Sequence, residues 1–335
     1  MSKLPSESYE DLDEEKPSTG WGDFEVWERV REALFALPSY FKMEGSMPNI
    51  PASDLHSANT LLGAAIEEHI PIALNLMRTT WDPESKYADC LFRRQPQTFP
   101  DVPFRRERTE GSETLFGIEV KSWYILAKEM EPSFRLDVSR EFCAAADLVV
   151  IYPWAFSAAV SGTPRLFRPL VLSARKAARL RNEFWRSKAP SDEWAEIKVP
   201  EQEPSLYPTK SDRINDVAPR DRSNNFGRVA RSGVWDAAIE RLLREESIAG
   251  IPLLGWHKFL SSFRERTSLD DAVRSIAGIA RQVGVEEIDP AIEALAAAAN
   301  SLGTVADELT RRPITKPKRV RKKSVEGEPA SDANT

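Results

Sequence analysis

The chain has 335 residues, 41% of them hydrophobic, which is enough for the core of one large domain or two modest ones. Its N-terminus is acidic and polar, and no apolar run reaches the ~18 residues of a membrane span. We therefore expect a cytoplasmic protein that does not enter a membrane. The net charge is −6, and two cysteines, Cys90 and Cys143, are too few for a disulfide framework or a cysteine zinc site, so we expect buried thiols.

The first half of the chain shows two helical patterns and then a strand pattern. Apolar residues at helical spacing predict an amphipathic helix within 21–41 and a second helix over 58–77. Pro71 lies inside the second helix and would kink or split it. From 99 to 124 the composition favours strands, and two such segments flank the polar turn TEGSE at 109–113. This pattern predicts a β-hairpin.

Helical and strand patterns continue to alternate after the hairpin. We expect a helix around 138–146, a buried strand LVVIYPW at 148–154, another strand at 165–172 and a basic helix at 173–187. Mixed patterns of this kind are typical of an α/β fold.

Composition divides the chain into five regions. Residues 1–20 are acidic with few apolar groups, and 312–335 are basic, so we expect both ends to be disordered. The patterned stretch 21–190 forms the folded core. Residues 191–230, rich in Pro, Asp, Ser and Asn without a period, form a loop or linker region. Helical spacing and plausible caps predict an added C-terminal α-helical region over 231–311.

One pair of short motifs carries chemistry. Pro100-Asp101 lies on the first hairpin segment, and Glu119-Val120-Lys121 lies eighteen positions after Asp101 on the second. Side chains two apart on a strand share a face, so Glu119 and Lys121 project together, and the hairpin brings Asp101 beside them. Two adjacent carboxylates repel each other unless a hard cation such as Mg²⁺ lies between them. Lys121 there can orient or help deprotonate a water and offset charge on a phosphate.

These residues resemble the motif of the PD-(D/E)XK nuclease superfamily, with Pro100-Asp101 and Glu119-Val120-Lys121 at its positions. The resemblance implies a central mixed β-sheet flanked by helices, as in restriction endonucleases. It also implies Mg²⁺-dependent hydrolysis of DNA that leaves 3′-hydroxyl and 5′-phosphate ends. Asp101, Glu119 and Lys121 would then be catalytic, and the two acids would bind the metal.

Two further points concern the acidic ligands. In that superfamily a helix before the hairpin often supplies another metal ligand, and Glu67 or Glu68 matches it, although a solvated charged face explains them equally well. Asp89, in KYADCLFRR, is the rival to Asp101 as the metal acid.

Basic charge is concentrated in two segments, which makes double-stranded DNA a plausible partner in spite of the net charge. Residues 1–25 hold eight acidic and two basic residues, so the rest of the chain is neutral overall. Within that rest, 165–188 and 311–323 each carry eight basic residues, against a single acid in the first segment. Local surfaces of this kind attract polyanions.

Two sets of side chains are candidates for DNA contact. One set, on the basic helix, suits phosphates, although a solvated face is an equally good interpretation. It consists of Arg175, Lys176 and Arg179. The other set, in the loop region, suits adenine and guanine edges. It consists of Asn224, Asn225 and Arg228.

The segment 207–233 resembles the region on the C-terminal side of the catalytic core in some type II restriction endonucleases. This favours a site-specific endonuclease of a restriction-modification system, acting as a homodimer on a palindromic site, with the C-terminal helices as candidate interface. Two alternatives stay open. One is a repair or mobile-element nuclease of the same fold, and the other is a non-catalytic DNA-binding or assembly protein whose acidic hairpin is inert.

Overall fold

The structure is a computed structural model of the chain. It describes residues 15–43, 55–95, 98–127, 129–159, 162–201, 207, 212–218, 221 and 226–262, together with the single positions 271, 274 and 278. The predictions for 312–335 and for most of 1–20 lie outside the described residues. The chain divides into two units, Met1–Arg264 and Glu265–Thr335, and every helix and strand named below belongs to the first.

The described residues form helices and strands in mixed order. The α-helices are α1 Phe24–Tyr40, α2 Leu55–Leu76, α3 Arg78–Trp81, α4 Ala174–Lys188, α5 Asp192–Ala195, α6 Asp236–Glu245 and α7 Leu253–Ser262. The strands are β1 Cys90–Phe92, β2 Val102–Arg108, β3 Gly111–Tyr124, β4 Leu148–Phe156, β5 Pro164–Leu166, β6 Leu170–Ser173, β7 Ser247–Ile248 and β8 Ile251–Pro252. Two 3-10 helices, Arg140–Phe142 and Val229–Ser232, complete the set.

A mixed β-sheet forms the centre of the first unit. Its strands follow the order β1-β2-β3-β4-β5, and β6 also pairs with β4. Strand β2 is antiparallel to both of its neighbours, β1 and β3, whereas β3 and β4 are parallel. All nine residues of β4 are buried, which explains why its sequence is continuously apolar instead of alternating. The predicted α/β class with a mixed sheet and flanking helices is therefore confirmed.

Helices α1 and α2 cover the sheet face that carries Ser122 and Tyr152, which are direct neighbours in the β3–β4 register. The Tyr152 hydroxyl donates to the Leu34 carbonyl of α1 at 3.0 Å. At Gly63 of α2, an added Cβ would lie 2.7 Å from Ser122 Oγ, so the helix backbone rests close against the strand. Helix α2 is continuous through Pro71, so the expected split does not occur.

The predicted hairpin is confirmed, with a tighter turn than expected. Strands β2 and β3 are joined by Thr109 and Glu110 alone, and the residues predicted as the rest of the turn already belong to β3. Val102 lies opposite Ile118, so the hairpin places the residue before β2 beside the middle of β3.

The helix predicted around 138–146 is wrong. Its backbone groups do not form a helical series of hydrogen bonds: the Ser139 N–H donates to the Ile214 carbonyl at 2.8 Å, and the Ala144 N–H donates to the Asp147 side chain at 2.6 Å. Only the 3-10 turn Arg140–Phe142 remains. The strand predicted at 165–172 is two strands, because the chain leaves the sheet between β5 and β6, where Pro169 has no N–H to donate.

Other element predictions are confirmed. Helices α1, α4 and α6 and strand β4 lie where their patterns placed them, and both cysteines are buried free thiols. Helices α6 and α7 pack on the core of the first unit, where Trp235 contacts Phe134 and His257 lies 3.1 Å from the Ala127 carbonyl oxygen. None of the helices in the described ranges has the length and apolar character that a membrane crossing requires.

Candidate active site

The hairpin brings the two acids of the motif together. The Asp101 N–H donates to Glu119 Oε2 at 3.1 Å, and the Val120 N–H donates to Asp101 Oδ2 at 3.2 Å. Each carboxylate is thus held by a backbone donor next to the other. The strand register places the two residues side by side, and these hydrogen bonds hold their carboxylates in place.

Lys121 joins these two carboxylates. Its Nζ lies 2.7 Å from Asp101 Oδ2 and 2.8 Å from Glu119 Oε1. The side chain of Glu119 is 11% exposed, that of Lys121 20% and that of Asp101 28%. The group is largely removed from water but open on the Asp101 side, so a ligand that approaches from solvent can reach it.

Gly117 allows Pro100 to lie against strand β3. A Cβ on Gly117 would collide with the Pro100 ring, because that ring crosses directly over the strand at this point. A side chain at 117 would displace the Pro-Asp dipeptide from Glu119. The glycine in the segment Gly-Ile-Glu-Val-Lys is therefore a steric requirement of the site.

Burial and mutual repulsion set the protonation of the cluster. Burial raises the pKa of Glu119 to about 7, with Asp101 adding to the rise and the Lys121 ammonium opposing it. Burial by itself would lower the pKa of Lys121, but Glu119 and Asp101 outweigh it and hold the lysine pKa above its ordinary value. Near neutral pH the site therefore contains a cationic lysine and a Glu119 carboxyl close to its midpoint.

Of the two candidate acids on α2, only Glu67 reaches the site strand. Glu67 Oε1 accepts the Ser122 N–H at 3.0 Å and its hydroxyl at 3.4 Å. Burial raises the pKa of Glu67, and Lys121 and the Ser122 N–H partly oppose the rise. Glu68 is exposed on the outer side of the helix. Asp89, the rival to Asp101, lies beside β1, is half exposed and is 3.6 Å from Arg106.

A buried carboxylate beside the motif was missed at the sequence level. Asp147 is fully buried, and Asp147 Oδ1 accepts the Gly117 N–H at 2.7 Å and the Tyr207 hydroxyl at 3.1 Å. Burial raises the pKa of Asp147 to about 7, and the Ala144 and Gly117 N–H groups oppose the rise. The signal available in the sequence was an acid directly before the wholly apolar strand LVVIYPW, where no solvated position is expected.

The candidate DNA contacts on α4 differ in accessibility. Arg175 Nε donates to the Cys143 carbonyl at 2.7 Å. Arg179 bonds to Glu15 and Glu183, each at 3.0 Å. Lys176 is 4% exposed, and its ammonium has no hydrogen-bond partner within the described part of the chain. In this structure α4 leaves Arg175 and Arg179 partly exposed and buries Lys176.

The loop candidates are only partly described. Arg228 lies 3.8 Å from Glu129, with 22% of its side chain exposed. Asn224 and Asn225 lie outside the described residues.

The donor set suits a hard cation that binds few protein ligands. Among the residues that the structure describes, no three acidic, histidine or cysteine side chains form a metal-binding group. Mg²⁺ is commonly held by one or two carboxylates, with water and substrate phosphate as its other ligands. Asp101 and Glu119 are two carboxylates and could therefore hold such an ion. The Lys121 ammonium, itself a cation, already contacts both of them.

Comparison of the chain with models of known protein families, with curated proteins and with solved structures finds no match in any of the three.

Proposed function

We propose that this chain is a Mg²⁺-dependent DNA endonuclease of the PD-(D/E)XK type, acting as a site-specific restriction enzyme. The observation that carries the proposal is the contact of Lys121 Nζ with both Asp101 and Glu119 at 2.7 and 2.8 Å. Asp101 lies directly before β2, and Glu119 and Lys121 lie two residues apart on the neighbouring strand β3. Two acids and a lysine placed in this way are the constellation expected of metal-dependent phosphodiester hydrolysis.

The fold around the cluster supports the same proposal. A helix precedes an antiparallel hairpin, and the second hairpin strand is followed by a parallel strand, β4. This order agrees with the restriction-endonuclease-like core that the motif implies. The connection between β3 and β4 departs from it, because the described part of this connection contains a 3-10 turn where a helix was expected.

Asp101 and Glu119 would hold Mg²⁺, which supplies a Lewis acid toward the scissile phosphate and lowers the pKa of a bound water. The remaining chemistry belongs to the chain. Lys121 keeps its proton because of its two acidic neighbours, so it donates hydrogen bonds and offsets negative charge on the phosphate. Glu119 must lose its proton to act as a ligand, and its pKa of about 7 makes that loss easier in mildly alkaline solution.

The test is digestion of a long, defined double-stranded DNA with Mg²⁺, followed by sequencing of the ends. We expect discrete fragments with 3′-hydroxyl and 5′-phosphate ends, and no cleavage in EDTA. The variants Lys121→Ala and Asp101→Asn should each lose cleavage by at least about 100-fold while retaining DNA binding. Asp89→Asn is the matched control and should cut like the wild type.

Other outcomes separate the alternatives. A smear or structure-dependent nicking in place of discrete bands would favour a repair or mobile-element nuclease. DNA binding that survives in EDTA, with no Mg²⁺-dependent nicking, would favour a non-catalytic DNA-binding protein. Full cleavage by both Lys121→Ala and Asp101→Asn would reject the proposed site. The homodimer expected for a palindromic site is tested by measuring the molar mass in solution with and without DNA.

A further inference from the structure

Asp147 occupies the place where the β3–β4 ladder begins. The parallel pairing of these strands starts at Ile118 and Leu148, so the main chain of β4 offers Gly117 no partner one residue earlier. The Asp147 side chain supplies one, because its Oδ1 accepts the Gly117 N–H at 2.7 Å. Its Oδ2 accepts the Ala144 N–H at 2.6 Å, which fixes the turn that leads into β4.

The positions of Asp101 and Glu119 both depend on Gly117. Gly117 lies two residues before Glu119 on β3. The ring of Pro100, the residue before Asp101, occupies the space where a Cβ of residue 117 would lie. A Cβ placed on Gly117 would lie 3.3 Å from Asp147 Oδ1, so the carboxylate and the proline border the same position. Movement of Gly117 would therefore shift Glu119 along the strand and Asp101 across it.

Tyr207 completes the arrangement from a distant part of the sequence. Its hydroxyl donates to Asp147 Oδ1 at 3.1 Å and lies 3.5 Å from the Leu115 carbonyl oxygen. Tyr207 begins the segment 207–233, which resembles the region after the catalytic core in some type II restriction endonucleases. A single carboxylate oxygen thus receives one donor from the site strand and one from this segment.

We propose that Asp147, held in place by Tyr207, is a positioning residue that sets the distance between Asp101 and Glu119. This inference rests on the proposed nuclease function and deepens it. Asp147 does not touch the substrate: it acts through Gly117. Its loss should lower the rate of the chemical step and weaken metal binding, while the DNA-binding surface stays intact. A carboxylate that merely stabilised the fold would lower the melting temperature without changing turnover by the folded protein.

The test uses Asp147→Asn and Tyr207→Phe in the full chain, with Asp216→Asn as the control. Asp216 is also a buried carboxylate, but its hydrogen bonds run to Ser139, Arg181 and Asn182 and not to the hairpin. Cleavage is measured well below each melting temperature, and Mg²⁺ affinity is measured separately by calorimetric titration. Tyr207→Phe keeps the ring and removes only the hydroxyl, so it tests the proposal even if Asp147→Asn fails to fold.

We expect Asp147→Asn and Tyr207→Phe to lower kcat and Mg²⁺ affinity by about 10- to 100-fold, the range typical of groups that orient metal ligands, with KM for DNA changed by less than about twofold. Asp216→Asn should lose thermal stability but keep kcat. Unchanged kcat in Tyr207→Phe, or an equal loss in Asp216→Asn, would overturn the positioning role alone. A wild-type protein that neither cleaves DNA nor binds Mg²⁺ would instead overturn the proposed function, and the positioning role with it.

Discussion

Glu67 of helix α2 accepts the backbone N–H of Ser122 at 3.0 Å, immediately after Lys121 in strand β3. An acid on a helix is thereby fixed to the strand that carries the lysine, and the Lys121 and Asp101 charges both act on its pKa. The adjacent Glu68 points to solvent. The two neighbouring acids, equivalent in sequence, therefore have different environments.

Replacement of each of these acids by glutamine should separate them. Glu67→Gln removes a charge beside Lys121, so we expect cleavage and Mg²⁺ affinity to fall by about 10-fold or more, as for other groups that support metal ligands. Glu68→Gln should leave both within about twofold, since substitutions on an exposed helix face have small effects. Equal effects of the two substitutions on cleavage would contradict the placement of Glu67.

The stability of the protein should depend on pH through Asp147, whose pKa burial raises to about 7, and through Glu119. The pKa of Glu119 is about 7 in the folded protein, above its ordinary value of 4.5, so the folded state binds the proton more tightly than the unfolded state does. The free energy of unfolding should therefore fall as pH rises from about 5 to 8. Thermal melts at pH values across this range, without metal, measure the effect. Glu119→Gln should show a flatter dependence.

Mg²⁺ should reverse this trend, because binding requires the ionised carboxylates. At ~100-fold excess over its Kd, a ligand stabilises a fold by about 2.7 kcal/mol, and at pH 8 we expect a Tm increase of roughly 5–10 °C. The increase should be smaller at pH 6, where Glu119 holds its proton. A Tm that responds to Mg²⁺ equally in the wild type and in Glu119→Gln would show that the ion binds elsewhere.

Because α2 lies close to β3, the effect of Gly63→Ala on stability should depend on which residue stands at position 122. Gly63→Ala places a Cβ 2.7 Å from Ser122 Oγ, and overpacking of this kind costs about 1–3 kcal/mol, more than the ~1 kcal/mol that alanine gains over glycine in a helix. In a Ser122→Ala background the obstructing oxygen is gone and the nearest carbon lies at 3.9 Å, so the same change should be neutral or stabilising. Urea unfolding of the four proteins measures both steps. Equal cost in both backgrounds would contradict the contact.

The hairpin was predictable because it is local in sequence. Alternation along 111–124 fixes which side chains share a face, and the turn sets the pairing at the closed end of the hairpin. The register then shifts between Phe104 and Arg105, so the exact pairing that brings Asp101 beside Glu119 does not follow from the turn alone. Strand β4 was predictable for a similar reason, since nine buried apolar residues in succession are typical of an interior strand.

The contacts of Asp147 and the conformation of residues 138–146 were not predictable from the local sequence pattern. In both, backbone donors find partners far along the chain: Ser139 in residue 214, Gly117 in residue 147. The apolar residues at 138, 142, 143 and 146 are all buried, so they imitate one face of a helix, although tertiary hydrogen bonds decide the conformation. Likewise the choice between Glu67 and Glu68 depends on the rotation of α2 against the sheet, which the sequence pattern leaves open.

Lys176 of the basic helix α4 shows that positive charge alone does not identify a DNA-contacting residue. Lys176 carries the same sign as the neighbouring arginines, yet it is 4% exposed and its ammonium has no hydrogen-bond partner among the described residues. Burying an unsatisfied polar group costs about 1–3 kcal/mol, and methionine matches the length of the lysine chain without that cost. Lys176→Met should therefore raise the free energy of unfolding by about 1 kcal/mol or more, whereas exposed basic residues that contact phosphates would show no such gain.

The same variant tests which basic residues of α4 meet DNA. If Lys176 stays inside the protein in the complex, Lys176→Met should bind DNA with unchanged affinity and unchanged salt dependence. Arg179→Ala is the comparison, since Arg179 is 35% exposed, and loss of a phosphate contact should weaken binding and reduce the salt slope by about one. Filter binding over a series of salt concentrations measures both quantities. A weaker salt dependence of DNA binding in Lys176→Met would mean that the lysine leaves the core to contact a phosphate. The substitution would then raise stability but lower DNA affinity.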